Sequence, residues 1–173
     1  MIKKISFLFL ILFTFMSFQA CEKDVFPTET TSKNELFIRE LYSNNRVKIL
    51  AAEAAIDKST NADVINFSNE LLKFHNELEV EILLLAASKS VFTNKELLNY
   101  HRNNINLLYN YPNTEFNKQF VFLIRLSQVE ALEILTEADA NDIDDDFKLW
   151  GLEQLPKIAQ KLDEAEILAA KIP

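Results

Sequence analysis

The chain has one glycine and four prolines among its 173 residues, and this scarcity of turn-forming residues limits the folds open to it. A sheet protein needs repeated tight turns, which rely on glycine, proline and asparagine for their backbone angles. No stretch shows sustained alternation of apolar and polar residues between turn signals, whereas Leu, Ala, Glu and Lys are abundant. The sequence therefore predicts an all-α protein.

The spacing of apolar residues predicts four long helices and one short helix. Their expected ranges are 34–58, 61–88, 94–109, 113–138 and 142–171. In the second long helix, apolar residues from Val64 to Leu85 recur every three or four positions, which is typical of a face buried in a core. The pattern predicts one domain, residues 34–173, folded as an up-down four-helix bundle with a short extra helix between helices 2 and 3.

Polar residues and one proline mark the expected boundaries of these helices. Asn61 is predicted to cap the second long helix, and Asn113 or Thr114 to cap the third. The segment 93–96 (TNKE) has the pattern of a capping box, which would open the short helix. Pro156 lies inside the fourth long helix and is expected to kink or split it, because proline removes a backbone hydrogen bond.

The acidic segment 139–146 (DANDIDDD) precedes the fourth long helix and invites comparison with a calcium-binding loop. An EF-hand requires a ligand at its fifth position and glycine at its sixth, where this segment has Ile143 and Asp144. The simpler interpretation is a helix start, with Asp142 as the cap and residues 144–146 in the first turn, where the helix dipole favours acids. No calcium site is predicted.

The first 21 residues have the pattern of a bacterial lipoprotein signal peptide. Lys3 and Lys4 precede an uncharged run at 5–18, which is too short for a comfortable transmembrane helix. Residues 18–21 (FQAC) resemble a lipobox, and Cys21 is the only cysteine, so it has no disulfide partner. The alternative is an ordinary secreted protein, cut after a small-x-small site. The favoured prediction is a signal peptide at 1–20 and a lipid on Cys21.

The expected mature chain is strongly acidic. Removing residues 1–20 removes two lysines and no acids, which leaves a net charge of −10. A charge of this sign is unfavourable for binding nucleic acid or an anionic bilayer surface. Residues 21–33 are mostly polar and are predicted to be a flexible tether. The predicted contact with the membrane is therefore the lipid anchor, most simply in the outer membrane, at its periplasmic face or at the cell surface.

Three segments resemble a family of exported, ferritin-like four-helix bundles known only as a domain of unknown function and as predicted outer-membrane proteins. Residues 63–78 (DVINFSNELLKFHNEL) are similar to its second helix, 115–120 (EFNKQF) to the start of its third, and 155–162 (LPKIAQKL) to a Leu-Pro-x-Leu motif in its fourth. The similarity extends over about residues 35–171. It implies a ferritin-like bundle in the cell envelope.

The resemblance also implies four inward polar positions, one in each long helix: a glutamate in the first and a histidine in each of the others. In this sequence they fall near Lys48 and on His75, Gln128 and Lys161. If these positions bind a metal in relatives, two lysines here would place ammonium groups beside the cation. The prediction is that no metal or other cofactor is bound, with His75 as the one weak metal candidate.

The residues themselves point the same way. Di-iron bundles use Glu-x-x-His on two helices, but leucine stands three positions before both His75 and His101. His75 is expected to be a satisfied histidine of the core or its boundary, and His101 a surface residue. With two histidines and a lipidated cysteine, no Ser/His/Asp or Cys/His set is expected.

A polar and aromatic patch is predicted between helices 2 and 3. Its residues are Tyr100, Asn104, Asn106, Tyr109, Asn110 and Tyr111. It would bind a protein or glycan partner, or simply cover one end of the bundle. The function expected from the sequence is a lipid-anchored envelope protein that is not an enzyme and has an interaction or structural role. The alternative is a ferritin-like protein that binds a metal or acts in the response to oxidative stress.

Overall fold

Five α-helices account for the regular structure in residues 32–140 and 142–172, which a computed structural model describes. They are α1 Lys33–Lys58, α2 Ala62–Ser88, α3 Asn99–Asn110, α4 Asn113–Ala140 and α5 Asp145–Ala169. No strand occurs in these residues, so the all-α prediction is confirmed for this part of the chain. The predicted signal peptide, Cys21 and all but the last residues of the predicted tether lie outside it.

Side-chain caps explain where the first two helices begin. At the start of α1, Ser32 Oγ accepts a hydrogen bond from the Glu35 amide, and Glu35 Oε2 accepts one from the Ser32 amide. This reciprocal pair is a capping box. The side chain of Asn61 accepts from the amides of Asp63 and Val64 at the start of α2. The predicted Asn61 cap is therefore confirmed.

Two predicted helix starts are wrong. The segment 93–96 does not open a helix: Asn94 Oδ1 accepts from the Glu96 amide in a local turn, and α3 begins only at Asn99. Asn94 thus uses its side chain in a turn, which competes with helix formation. The fourth long helix is capped by Asp144 and not by Asp142, since the Asp144 side chain accepts from the Asp146 amide.

Pro156 does not split the last helix, because α5 continues through it from Asp145 to Ala169. The proline is exposed, whereas Gln154 and Ile158 on either side of it are buried. The helix packs along α4. This packing holds the segment helical at the position where the proline cannot donate a hydrogen bond.

The core consists of two apolar clusters. The first contains the second half of α1 (from Val47), the first halves of α2 and α4, and the end of α5 near Ala165. The second contains the first half of α1 (Phe37 to Tyr42), the second halves of α2 and α4, and Phe147 near the start of α5. Each cluster is thus built from all four long helices, and α1 packs against α2, α3 and α4.

Membership of the two clusters fixes the relative directions of the helices. Helix α2 is antiparallel to α1, α4 runs in the same direction as α2, and α5 is antiparallel to α4. The predicted up-down order is therefore wrong at one connection. The segment 89–112, which contains α3, must run the length of α2 before α4 begins. Apolar periodicity predicts which face of a helix is buried but not the direction of its neighbours.

Candidate functional site

Buried polar side chains separate the two apolar clusters halfway along the helices. We call this group the central polar layer. Its members are Ser43, Asn44, Asn45 and Lys48 of α1, His75 of α2, His101 of α3, and Gln128 and Glu130 of α4. All of them except Glu130, which is partly exposed, are buried. Burying so many polar groups is costly unless they bind one another, and their partners therefore decide what the layer can do.

His75 is held from two helices. Its Nδ1 lies 2.7 Å from Asn45 Oδ1, and its Nε2 lies 3.1 Å from Gln128 Nε2. The Nδ1 hydrogen is therefore donated to Asn45, and the Nε2 lone pair accepts from the Gln128 amide. Burial, followed by the nearby charges of Lys48 and Lys161, lowers the pKa of His75 well below 6.5. The ring is neutral, with both nitrogens in use.

Lys48 is the largest charged side chain in the core, with 1% of its surface exposed. Its Nζ donates to Asn44 Oδ1. Burial lowers the pKa of Lys48 from 10.5 to about 7, although the charge of Glu130 acts in the opposite direction. Near neutral pH the amine is therefore close to the midpoint of its titration.

Ser43, His101 and Glu130 form a hydrogen-bonded chain beside Lys48. His101 Nδ1 lies 2.7 Å from Ser43 Oγ, and His101 Nε2 lies 3.0 Å from Glu130 Oε2. Burial raises the pKa of Glu130, but hydrogen bonds from His101, Tyr100 and Asn44 outweigh it and lower the pKa to about 2. Glu130 is therefore a carboxylate at neutral pH, and His101 Nε2 carries the hydrogen between them.

The hydrogen bonds among Ser43, His101 and Glu130 show that two predictions about His101 are wrong. The residue is 1% exposed and is not on the surface, and it takes part in a Ser/His/acid set, which the sequence was not expected to contain. The signal that could have placed it is the spacing of His101, Ile105 and Leu108, which are all buried on one face of α3. The serine is nevertheless no exposed nucleophile. Ser43 Oγ is buried and accepts a hydrogen bond from the Leu98 amide at 2.8 Å.

The four positions suggested by the family resemblance differ in their surroundings. Lys48, His75 and Gln128 all lie in the central polar layer. The Lys161 ammonium lies at the layer's edge, 5.7 Å from the centre of the Phe74 ring, and pairs with Glu164 at 2.7 Å. Within the described residues, no three His, Cys, Asp or Glu side chains are grouped closely enough to hold a metal ion together.

A divalent cation does not fit this donor set. The only imidazole among the four positions already uses its Nε2 lone pair to accept from Gln128. A cation there would also lie near the amine of Lys48, which repels it when protonated. Of the layer's side-chain atoms, Gln128 Oε1 is buried without a hydrogen-bond partner among the described residues. The remaining contacts suit a layer closed by internal hydrogen bonds better than a metal centre.

The acidic segment before α5 is bound by a lysine. Lys89 Nζ lies 3.0 Å from Asp144 Oδ1 and 2.5 Å from Asp146 Oδ2. The hydrogen bond from Lys89 lowers the pKa of Asp144. Asn141 and the side chain of Asp139 lie outside the described residues. The part of the segment that is described thus contributes a helix cap and two ion pairs at the end of α2.

The predicted polar and aromatic patch is mostly tied to the rest of the molecule. The Tyr100 hydroxyl donates to Glu130 Oε1 at 2.5 Å. Lys58 Nζ donates to the carbonyl oxygens of Tyr109 at 2.8 Å and Tyr111 at 3.2 Å. These contacts attach both ends of α3 to the long helices. The rings of Tyr100 and Tyr109 are about half exposed.

Comparison with known proteins gives a family and no function. No curated protein and no solved structure matches the chain. None of the helices that the structure describes is long and apolar enough to cross a membrane. One family, described as a domain of unknown function (DUF4142), matches residues 19–168. Because this match covers most of the sequence, the chain belongs to the DUF4142 family.

Proposed function

We propose that this protein is a lipid-anchored module of the cell envelope whose role is structural or interactive and not catalytic. A lipid on Cys21 would attach it to the membrane, most simply the outer membrane, and a short tether would lead to the helices. A protein or glycan of the envelope would be its partner.

We further propose that the four long helices form a ferritin-like bundle. The support is the direction of the helices: α2 and α4 run in the same direction, so the segment 89–112 must run back along the length of α2. Ferritin-like bundles have one long crossover of this kind. The polar layer at mid-height also lies where such bundles place their functional side chains.

The closure of the central polar layer is the observation that carries the non-catalytic role. A general base or nucleophile must reach its substrate within hydrogen-bonding distance. His75, His101 and Ser43 are buried, and each is engaged by neighbouring protein groups. The same contacts disfavour the alternative, a protein of metal binding or oxidative stress, because His75 would first have to give up Gln128.

The proposed anchor is tested by replacing Cys21. In the native bacterium or a lipoprotein-competent host, Cys21→Ser should move the protein from the membrane fraction to the soluble fraction. Thr28→Ser, in the predicted tether, is the matched control and should stay in the membrane fraction. Mass spectrometry of the wild-type N-terminus should show acyl chains on Cys21. An unacylated wild type, together with a Cys21→Ser variant that stays with the membranes, would refute the anchor.

A further inference from the structure

Helix α4 exposes an apolar ridge on the side opposite the core. Phe122, Leu126 and Val129 are 59%, 50% and 41% exposed, although their spacing on α4 is that of a buried helix face. Large exposed apolar side chains arranged contiguously indicate a surface that contacts another molecule. We call these three residues the α4 ridge.

Shallow grooves flank the α4 ridge on both sides. The groove towards α3, about 100 Å³ in volume, is lined by apolar side chains that include Leu107 and Tyr111. The groove towards α5, about 190 Å³, is lined by Leu162 and by the Arg125–Glu166 ion pair. A ridge of side chains between two grooves is the surface that a second helix packs against.

The charges at the two ends of the ridge are complementary to each other. Lys118 lies one turn before Phe122, and Glu133 lies one turn after Val129. Both are exposed on α4. Neither makes a hydrogen bond or ion pair with another described residue. They are equally far along the helix from the point between Arg125 and Leu126. Phe122 and Val129 are also equidistant from this point.

We propose that two copies of this chain associate through their α4 ridges, antiparallel, about a twofold axis that passes between Arg125 and Leu126. In that register Lys118 of each copy faces Glu133 of the other, and Phe122 faces Val129. A twofold interface must be self-complementary in this way. An anionic bilayer is a poorer occupant, because the protein is strongly acidic. A uniformly negative bilayer surface would also offer no partner of opposite charge to Glu133.

The first test is cysteine cross-linking of the full-length protein in its own membrane. Leu126 lies beside the proposed axis, so a cysteine at this position should approach its counterpart closely enough for a disulfide. Leu126→Cys should therefore give a reducible dimer under mild oxidation. Leu84→Cys, on α2 and 65% exposed, is the matched control. The wild type, with Cys21 alone, shows any dimer that the native cysteine forms.

The second test exchanges the two charges in the Leu126→Cys background. Lys118→Glu or Glu133→Lys alone turns both attractive pairs into repulsive ones, which should weaken association about tenfold. The double variant Lys118→Glu/Glu133→Lys restores opposite charges across the axis and should recover cross-linking. Circular dichroism checks that all variants remain helical.

The outcomes are decisive in both directions. Cross-linking specific to position 126, lost in either single charge variant and recovered in the double variant, supports the dimer. Cross-linking no stronger than at position 84 overturns it, as does a double variant that stays as weak as the single ones. A disulfide between position 126 and a different protein would also overturn it, because the ridge would then belong to another partner.

Discussion

Lys48 places an amine in the middle of the core, where burial lowers its pKa from 10.5 to about 7. Between these two values the unfolded chain binds a proton that the folded chain does not. The free energy of unfolding should therefore rise as the pH increases from about 7 towards 10, by roughly 5 kcal/mol at most. Below about pH 7 both states carry the proton, and the contribution of Lys48 no longer changes.

Replacing Lys48 removes this dependence. In urea unfolding between pH 6 and pH 9.5, Lys48→Met should show a much smaller rise in stability with pH than the wild type. Lys73→Met, at an exposed position on α2, is the control and should keep the wild-type slope. Equal slopes in all three proteins would mean that Lys48 is not titrating in the core.

Glu130 makes stability rise with pH as well, but in the acid range. Hydrogen bonds from His101, Tyr100 and Asn44 hold its pKa at about 2, below the ordinary value of 4.5. Its stabilisation is complete above about pH 4.5 and is lost as the pH falls from there towards 2. The loss is at most about 3 kcal/mol, because the carboxylate is partly exposed and solvent screens its interactions.

A substitution at Glu130 tests the direction of this dependence of stability on pH. Glu130→Gln should be less stable than the wild type at pH 6, and the difference should shrink as the pH is lowered to 3. Glu153→Gln, at an exposed position on α5, should lose little at either pH. A Glu130→Gln deficit that is as large at pH 3 as at pH 6 would contradict the assignment.

Little of the central polar layer could be predicted from single residues. The position of His75 on the edge of an apolar stripe correctly predicts a satisfied histidine near the core. His101 is misplaced because its neighbours in the segment 99–103 (NYHRN) are polar, which favours an exposed position. The burial of Lys48 has no local signal, because α1 is buried around most of its circumference by α2, α3 and α4.

At the scale of helices, apolar periodicity predicts well that the helices exist and which of their faces are buried. It predicts less well where each helix begins and ends. The buried faces of α2 and α4 follow the expected spacing. The starts of α3 and α5 are wrong because several polar residues in each linker can cap a helix, and contacts with other helices decide among them. For α5 the deciding contacts include Lys89 with Asp144 and the Asn34 side chain with the Asp144 amide.

Gly151 offers a test of packing in α5. A Cβ at this position would lie 3.5 Å from Leu135 Cδ2, an ordinary van der Waals distance. Gly151→Ala should therefore fit and stabilise the protein by about 0.5–1 kcal/mol, since glycine is a poorer helix former. Thermal and urea unfolding measure the change. Gly151→Leu is the comparison, and its larger side chain should press on Leu135 and destabilise. A destabilised alanine variant would contradict this account of the contact.

At the scale of the whole molecule, two apolar clusters are separated by a polar layer whose side chains, apart from Gln128 Oε1, are hydrogen-bonded to neighbouring protein groups. Composition predicts the helical class, and the order of three short motifs predicts the family. The direction of α4 relative to α2 could not be predicted, because it depends on a crossover whose path no local pattern specifies. The role proposed for the molecule rests on this closed layer together with the predicted lipid anchor.

Metal content tests the closed layer most directly. Wild-type protein and His75→Gln, each purified from membranes without chelators, would be compared by elemental analysis for iron, zinc, manganese and copper. The closed layer predicts background metal in both proteins, and a cost in stability for His75→Gln of no more than about 1–3 kcal/mol from lost buried hydrogen bonds. A stoichiometric metal in the wild type that disappears in His75→Gln would contradict the closed layer and favour a metal-binding protein.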